Sequence, residues 1–150
     1  MRIVIDTNIL IYREDNDVIP DDIAKLMSYA NNKDLEVLVH PKSIKDIERD
    51  KNEQRRKQIL SKYSAYKKIE NPPKPKSDSN FSRTVREHEK DNETIDNHIL
   101  YSVFEDVADF LVTEDGGIHA KAEKLDLVDQ VLYPSEAIDI LKRRFEGEKI

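Results

Sequence analysis

The chain has 150 residues, room for one domain rather than two, with 37% hydrophobic residues, 37% charged residues and a net charge of −6. It has no cysteine, which excludes disulfides, thiolate metal sites and thiol nucleophiles. No apolar run reaches the length of a membrane span, and Met1 leads into a strand-like Arg2-Ile-Val-Ile rather than a signal peptide, so a soluble cytoplasmic protein is expected.

Ile3-Val4-Ile5 predicts a buried strand, ended by Asp6-Thr7-Asn8, which can also cap the next segment. Pro20-Asp21-Asp22 opens a helix with Ile23, Leu26, Met27 and Ala30 at helical spacing. Leu35 to Val39 reads as a second strand, stopped by Pro41. Ser43 to Arg56 reads as a helix, and a further helical stretch covers about Gln58 to Ile69. The proline-rich run from Asn71 to Asn80 is a loop. Asn92 to Asp106 returns to helix, with Ile95, Ile99, Leu100, Val103 and Phe104 on one side. Phe110-Leu111-Val112 is a third strand, Asp115-Gly116-Gly117 turns into a helix around Ala120 to Lys124, and Val131 to Tyr133 is a fourth strand. Pro134-Ser135-Glu136 begins a last helix that carries Ile138, Leu141 and Phe145 on its apolar face.

Strands alternating with helices imply an α/β fold, a central parallel sheet covered by helices on both faces as a three-layer α/β/α sandwich. One domain over 1–150 is expected, with a helical basic arm and the proline-rich loop at about 42–90. From Lys42 to Lys90 there are 15 Lys+Arg against 8 Asp+Glu, a net of +7, whereas the rest carries 10 against 23, a net of −13. A basic middle between acidic ends suits a phosphate-binding arm beside an acidic metal site. It equally suits a solvated helix with interleaved charges.

In open parallel sheets ligands bind beyond the carboxyl ends of the strands. Asp6 directly follows the first strand, Asp46 lies in a helix start beyond the second, and Asp115 is three residues past the third. Asp96 shares a helix face with Asn92, Ile99, Leu100 and Val103, which turns it inward. Carboxylates that converge repel one another and stay ionised together only beside cations. Oxygen donors alone suit Mg2+ or Mn2+, and His40, His88, His98 and His119 show no close zinc spacing. Two such cations can clamp a phosphodiester. Each acid taken singly is weak evidence, because a lone Asp after a strand is more often a surface residue or cap. Thr7, Asn8 and Thr113 are likewise common caps and turn formers, and Gly116-Gly117 is usually a turn.

Three segments together resemble the PIN domain family. Ile3-Val-Ile-Asp6-Thr7-Asn8-Ile9-Leu10 is similar to its opening strand, Asp96-Asn-His-Ile99-Leu100 to its central helix, and Leu111-Val-Thr113-Glu-Asp115 to its third strand. Order and spacing agree over nearly the whole chain. The resemblance implies that Asp6, Asp96 and Asp115 are metal ligands, with Thr7, Asn8 and Thr113 orienting the carboxylates. The family's remaining acid is usually a Glu in the helix after strand two. Here Pro41-Lys-Ser-Ile-Lys-Asp46-Ile47-Glu48 offers Asp46, followed by an apolar residue as in the family pattern, with Glu48 as the fallback. Asp91 and Glu93 are expected near the site and Glu114 away from it.

PIN domains resemble the flap-endonuclease fold and generally cut RNA, less often DNA, with Mg2+ or Mn2+. Many are toxins held by an antitoxin-like partner, and many form homodimers. The expectation is therefore an endoribonuclease, toxin-like or RNA-processing, with Asp6, Asp46, Asp96 and Asp115 as its catalytic set. It would use two metal ions and water attack, and would not engage a membrane. Arg49, Lys51, Arg55, Arg56 and Lys57 are the expected phosphate contacts of the arm, and Tyr63 or Tyr66 either stack bases or pack the arm.

One competing reading is a catalytically weak PIN-like module that binds nucleic acid or protein. A Mg2+-dependent phosphatase is another, but the Asp-x-Asp it needs is Asp6-Thr7-Asn8 here. A receiver domain lacks its paired acid and late Lys. A dinucleotide enzyme is disfavoured by only three glycines and no Gly-x-Gly-x-x-Gly.

Overall fold

A computed structural model describes residues 1–14, 20–32, 34–76, 79–85 and 91–147, with the backbone alone at 12–14 and 91–93. In chain order the elements are β1 (Arg2–Ile5), α1 (Thr7–Glu14), α2 (Asp21–Ser28), a 3-10 turn (Tyr29–Asn31), β2 (Glu36–Val39), α3 (Ser43–Glu48), α4 (Glu53–Tyr63), β3 (Lys67–Lys68), α5 (Asn80–Val85), α6 (Asp91–Phe104), β4 (Phe110–Val112), α7 (Gly116–Lys124), β5 (Val131–Leu132) and α8 (Pro134–Glu146). Among these residues no helix is long and apolar enough to cross a membrane.

The five strands form one sheet in the order β3-β2-β1-β4-β5, every pairing parallel. Successive side chains of a strand point to opposite faces, and the core divides accordingly. Ile3, Ile5, Val39, Val112 and Leu132 join Ile9, Leu10, Ile23, Leu26, Ile47, Ile59, Tyr63, Ile138 and Leu141 on one face. Val4, Leu38, Leu111 and Val131 join Phe81, Val85, Ile95, Ile99, Leu100, Val103, Ile118 and Ala122 on the other. Helices α1 to α4 and α8 thus cover one side, and α5, α6 and α7 the other. This is the three-layer α/β/α sandwich that the strand–helix alternation predicts. Both faces being covered explains why Ile3–Ile5 of β1 and all of β4 are continuously apolar rather than alternating with polar residues.

The strand order positions the site. From β1 the chain moves outward to β2 and β3, then crosses back to place β4 on the other flank of β1. Connections therefore diverge between β1 and β4, the switch point where an open parallel sheet leaves a crevice beyond its carboxyl edge. The register sets Ile5 opposite Val112, so Asp6 and Thr113 leave the sheet side by side, and Asp6 N–H still donates to the Val112 carbonyl at 2.9 Å.

Several elements differ from expectation. The predicted Ser43–Arg56 helix is broken into α3 and α4, because Asn52 in extended backbone caps α4 by accepting from Arg55 N–H at 3.0 Å. The predicted helix from Gln58 to Ile69 stops at Tyr63, and Lys67–Lys68 pair with Leu38–Val39 as the edge strand β3. Lysines suit an edge, where charge discourages pairing with another chain. Rather than standing off, the basic stretch sends Ile47, Ile59 and Tyr63 into the core. Tyr63 is packed, not offered for stacking: it is 4% exposed and donates its hydroxyl to the His40 carbonyl at 3.1 Å. Tyr66 packs against the same cluster. Helix α5 adds an element to those the sequence pattern predicts, and Gly116-Gly117 forms the first turn of α7 instead of a separate turn.

Candidate metal centre

Four carboxylates reach one cavity at the switch point, of about 240 Å³, lined by Asp6, Thr7, Asn8, Ile11, Asp46, Asp96 and Asp115. Asp6 comes from the end of β1, Asp46 from α3, Asp96 from α6 and Asp115 from the start of α7. One carboxylate oxygen each from Asp6, Asp96 and Asp115 lies within 4.8 Å of the other two. Asp46 lines the cavity outside that tight group of three. Glu48, two residues further along α3 and so on another face of the helix, is exposed and does not line the cavity.

Each acid is held in its own way. Asp6 is 3% exposed; Oδ1 accepts from Thr7 N–H at 2.7 Å and Oδ2 from the Thr113 hydroxyl at 2.7 Å. Asp115 is the N-cap of α7, with Oδ1 taking the otherwise orphaned N–H groups of Gly117 at 2.8 Å and Ile118 at 3.2 Å. An ideal Cβ on Gly117 would sit 3.0 Å from that same Oδ1, so a glycine lets the backbone approach the carboxylate. Asp46 Oδ2 accepts from the Thr7 hydroxyl at 3.1 Å, and its Oδ1 faces Arg49 at 3.5 Å. The Asp96 carboxylate accepts no hydrogen bond from a described residue, although three other carboxylates line the same cavity.

Burial raises the Asp6 carboxyl to about 6, with the Thr113 and Thr7 hydrogen bonds opposing and the Asp115 and Asp46 charges adding. Burial raises Asp96 to about 7, helped by Asp6, Asp115 and Asp46 and slightly relieved by Lys121. Burial also raises Asp46, offset in part by Thr7 and Arg49. Full ionisation of this group needs positive charge in its midst.

The donor set fits a hard divalent cation. All the polar groups lining the cavity present oxygen, apart from the amide nitrogen of Asn8, and no imidazole is among them. Asn8 lines the cavity, and its Oδ1 is buried with no hydrogen-bond partner, an orphan acceptor beside the carboxylates.

Of the expected residues, Asp6, Asp46, Asp96, Asp115, Thr7 and Asn8 line the cavity, and Thr113 supports it from beneath. Glu114 is exposed. The side chains of Asp91 and Glu93, and all of His88, lie outside the described residues. Arg49, Lys51, Arg55, Arg56 and Lys57 fall on the α3–α4 junction and the first turns of α4. Arg55 there grips the Asp50 carboxylate at 2.6 and 2.8 Å, Arg56 donates to the Asp50 carbonyl at 3.0 Å, and Lys57 pairs with Glu53 at 3.0 Å.

Three residues beside the site escape sequence reasoning. Lys121 donates to Asn97 Oδ1 at 2.8 Å and brings a cation close enough to act on Asp96. Spacing gives no signal for it: six residues past Asp115 a helix has turned about 600°, which sets Lys121 on a different face. His119 donates Nε2–H to the Thr113 carbonyl at 2.8 Å and stacks on Tyr133, ring centroids 3.7 Å apart at 11°. No local pattern signals that pair, because β5 brings Tyr133 to α7 only in the folded sheet.

Residues 2–116, from β1 to the first residue of α7, match a family model described as PIN domain. No curated protein and no solved structure matches.

Proposed function

The chain belongs to the PIN domain family, a family of nucleases, and from that premise we propose that it is a Mg2+- or Mn2+-dependent endoribonuclease acting by water attack on the phosphodiester. The observation that carries this reading is the convergence of Asp6, Asp96 and Asp115 within 4.8 Å at the switch point, with Asp46 on the same cavity wall. Asp6, Asp96 and Asp115 would hold the cations, and Asp46 would supply the fourth carboxylate. Held there, divalent cations would supply Lewis acidity for a water nucleophile and for the charge on the leaving oxygen.

The protein's own groups do the positioning. Thr113 and the Thr7 N–H each hold one oxygen of Asp6, which fixes the orientation of its carboxylate. Two N–H groups occupy Asp115 Oδ1, which fixes the orientation of that carboxylate at the cavity wall. Thr7 ties Asp46 to the end of β1. Asp96, whose carboxylate accepts no hydrogen bond from a described residue, is the carboxylate most dependent on a cation. Lys121 offers positive charge beside it for a phosphate oxygen. RNA is the proposed substrate, with DNA a weaker one. An antitoxin-like partner and a homodimer belong to the same proposal. So does the extent of a single domain over 1–150.

The mechanism is tested by the ends it leaves. Water attack on phosphorus that expels the 3′ oxygen leaves a 5′-phosphate and a 3′-hydroxyl, which ligation and end-labelling of the fragments would detect. Recovery of 2′,3′-cyclic phosphate ends would contradict the mechanism, since they arise from attack by the neighbouring 2′-hydroxyl.

A further inference from the structure

We propose that Tyr133 is a base-stacking platform that holds a nucleobase of the substrate close to the scissile phosphate. The inference rests on the reading of the cavity as a nuclease centre, and it lies outside the matched family segment, which ends at residue 116.

Among the described residues the exposed large hydrophobic side chains are Val128 and Tyr133, so Tyr133, 38% exposed, is the exposed aromatic ring. It follows β5 directly, at the same carboxyl edge of the sheet where Asp6 follows β1 and Thr113 follows β4, and those three strands are adjacent in the order β1-β4-β5. An aromatic ring left facing water forgoes the stabilisation that burial would give it. Phe81, Tyr63 and Tyr101 are buried in the core, so the core had room for such rings.

The ring is also held still. One face lies on His119 at 3.7 Å and 11°, close to parallel. His119 is anchored to the Thr113 carbonyl at 2.8 Å, and Thr113 in turn donates its hydroxyl to Asp6. The Tyr133 N–H donates to Glu136 at 2.9 Å, and Pro134 restricts the backbone of the residue before it. A continuous series of contacts, Tyr133–His119–Thr113–Asp6, therefore connects the ring to the carboxylate cavity. His119 stands one helical turn from Asp115, a rise of about 6 Å, so the platform is within a short reach of the cavity. A fixed aromatic surface of this kind accepts any base, because every base has a π-face. It would raise affinity and set the register of the strand without reading its sequence. Lysine side chains make no such contact, which separates this role from that of the basic residues on α4.

The test uses the full chain and an RNA oligonucleotide with a single 2-aminopurine moved through successive positions. On the Asp96→Asn background in Mg2+, stacking quenches the fluorophore at one position, and the quench survives Tyr133→Phe and Tyr133→Trp. Tyr133→Ala removes it and weakens RNA binding about 5- to 150-fold, the range that one stacked base contributes. In the enzyme with Asp96 intact, Tyr133→Ala raises KM by a larger factor than it lowers kcat. An identical quench pattern in Tyr133→Ala, no quench at any position of a bound RNA, or no RNA binding at all would overturn the proposal. Failure of the nuclease reading is distinguishable: RNA then stays uncut with Mn2+ by the chain bearing Asp96, whether or not the Tyr133-dependent quench is present.

Discussion

Asp96 is the most strongly perturbed carboxylate of the cavity, and its electrostatic strain has a measurable sign. In the metal-free chain Asp6 titrates at about 6 and Asp96 at about 7, against about 3.9 for an unfolded Asp. Between those values the folded chain binds more protons than the unfolded one, so stability falls as pH rises from about 4 to about 7. At the buried Asp6 the loss is on the order of 1.4 kcal/mol for each pH unit that separates its folded and unfolded pKa, shared with the carboxylates coupled to it. His40 and His98 act with the opposite sign. Burial depresses both to about 4, below the unfolded value of about 6.5, so their contribution is lost as pH falls through that window. The two windows overlap, and the readout that separates them is the difference between metal-free and Mn2+-loaded protein. Mn2+ raises Tm little at about pH 5 and by several degrees at about pH 7.5. Asp96→Asn raises the metal-free Tm at about pH 7.5 and shrinks the Mn2+ increment. A Tm indifferent to Mn2+ at both pH values would contradict the account of the cavity.

The elements carry that chemistry with unequal legibility. Strands β1, β2, β4 and β5 and helices α2, α6 and α8 are readable because each has an apolar run or a 3.6-residue stripe bounded by a turn or cap. Strand β3 is not: two lysines have no period, and they are a strand only because Leu38 and Val39 pair with them. The break between α3 and α4 turns on one cap, Asn52, inside a stretch rich in helix formers. In the cavity, Asp6, Asp96 and Asp115 could be picked out because they sit at strand ends and on an inward helix face. Helical spacing sets Asp46 and Glu48 on different faces of α3, with Asp46 lining the cavity and Glu48 exposed. The orphan Asn8 oxygen and the His119–Tyr133 stack are products of tertiary assembly and have no local signature. On α4, the proposed phosphate contacts pair with Asp50 and Glu53, so RNA must displace those carboxylates. Reversing Arg55 and Arg56 to Glu should weaken RNA binding and reduce the salt slope by about one to two. An unchanged slope would mean that α4 does not touch phosphate.

For the whole molecule, the charge asymmetry and the strand order point the same way. A net of −13 outside residues 42–90 includes three of the four cavity carboxylates, while the stretch carrying +7 borders the cavity through α3. The sheet's switch between β1 and β4 is where the carboxylates meet. A cation in the cavity would relieve their repulsion, and the basic stretch that contributes Asp46 suits a polyanionic substrate. The most direct test is RNA cleavage by the purified chain with Mn2+, with EDTA and as Asp96→Asn. Cleavage with Mn2+, abolished by EDTA and lowered at least ~100-fold by Asp96→Asn, is the predicted result. Cleavage that persists in EDTA, or an Asp96→Asn variant that cuts as fast as the original chain, would contradict it.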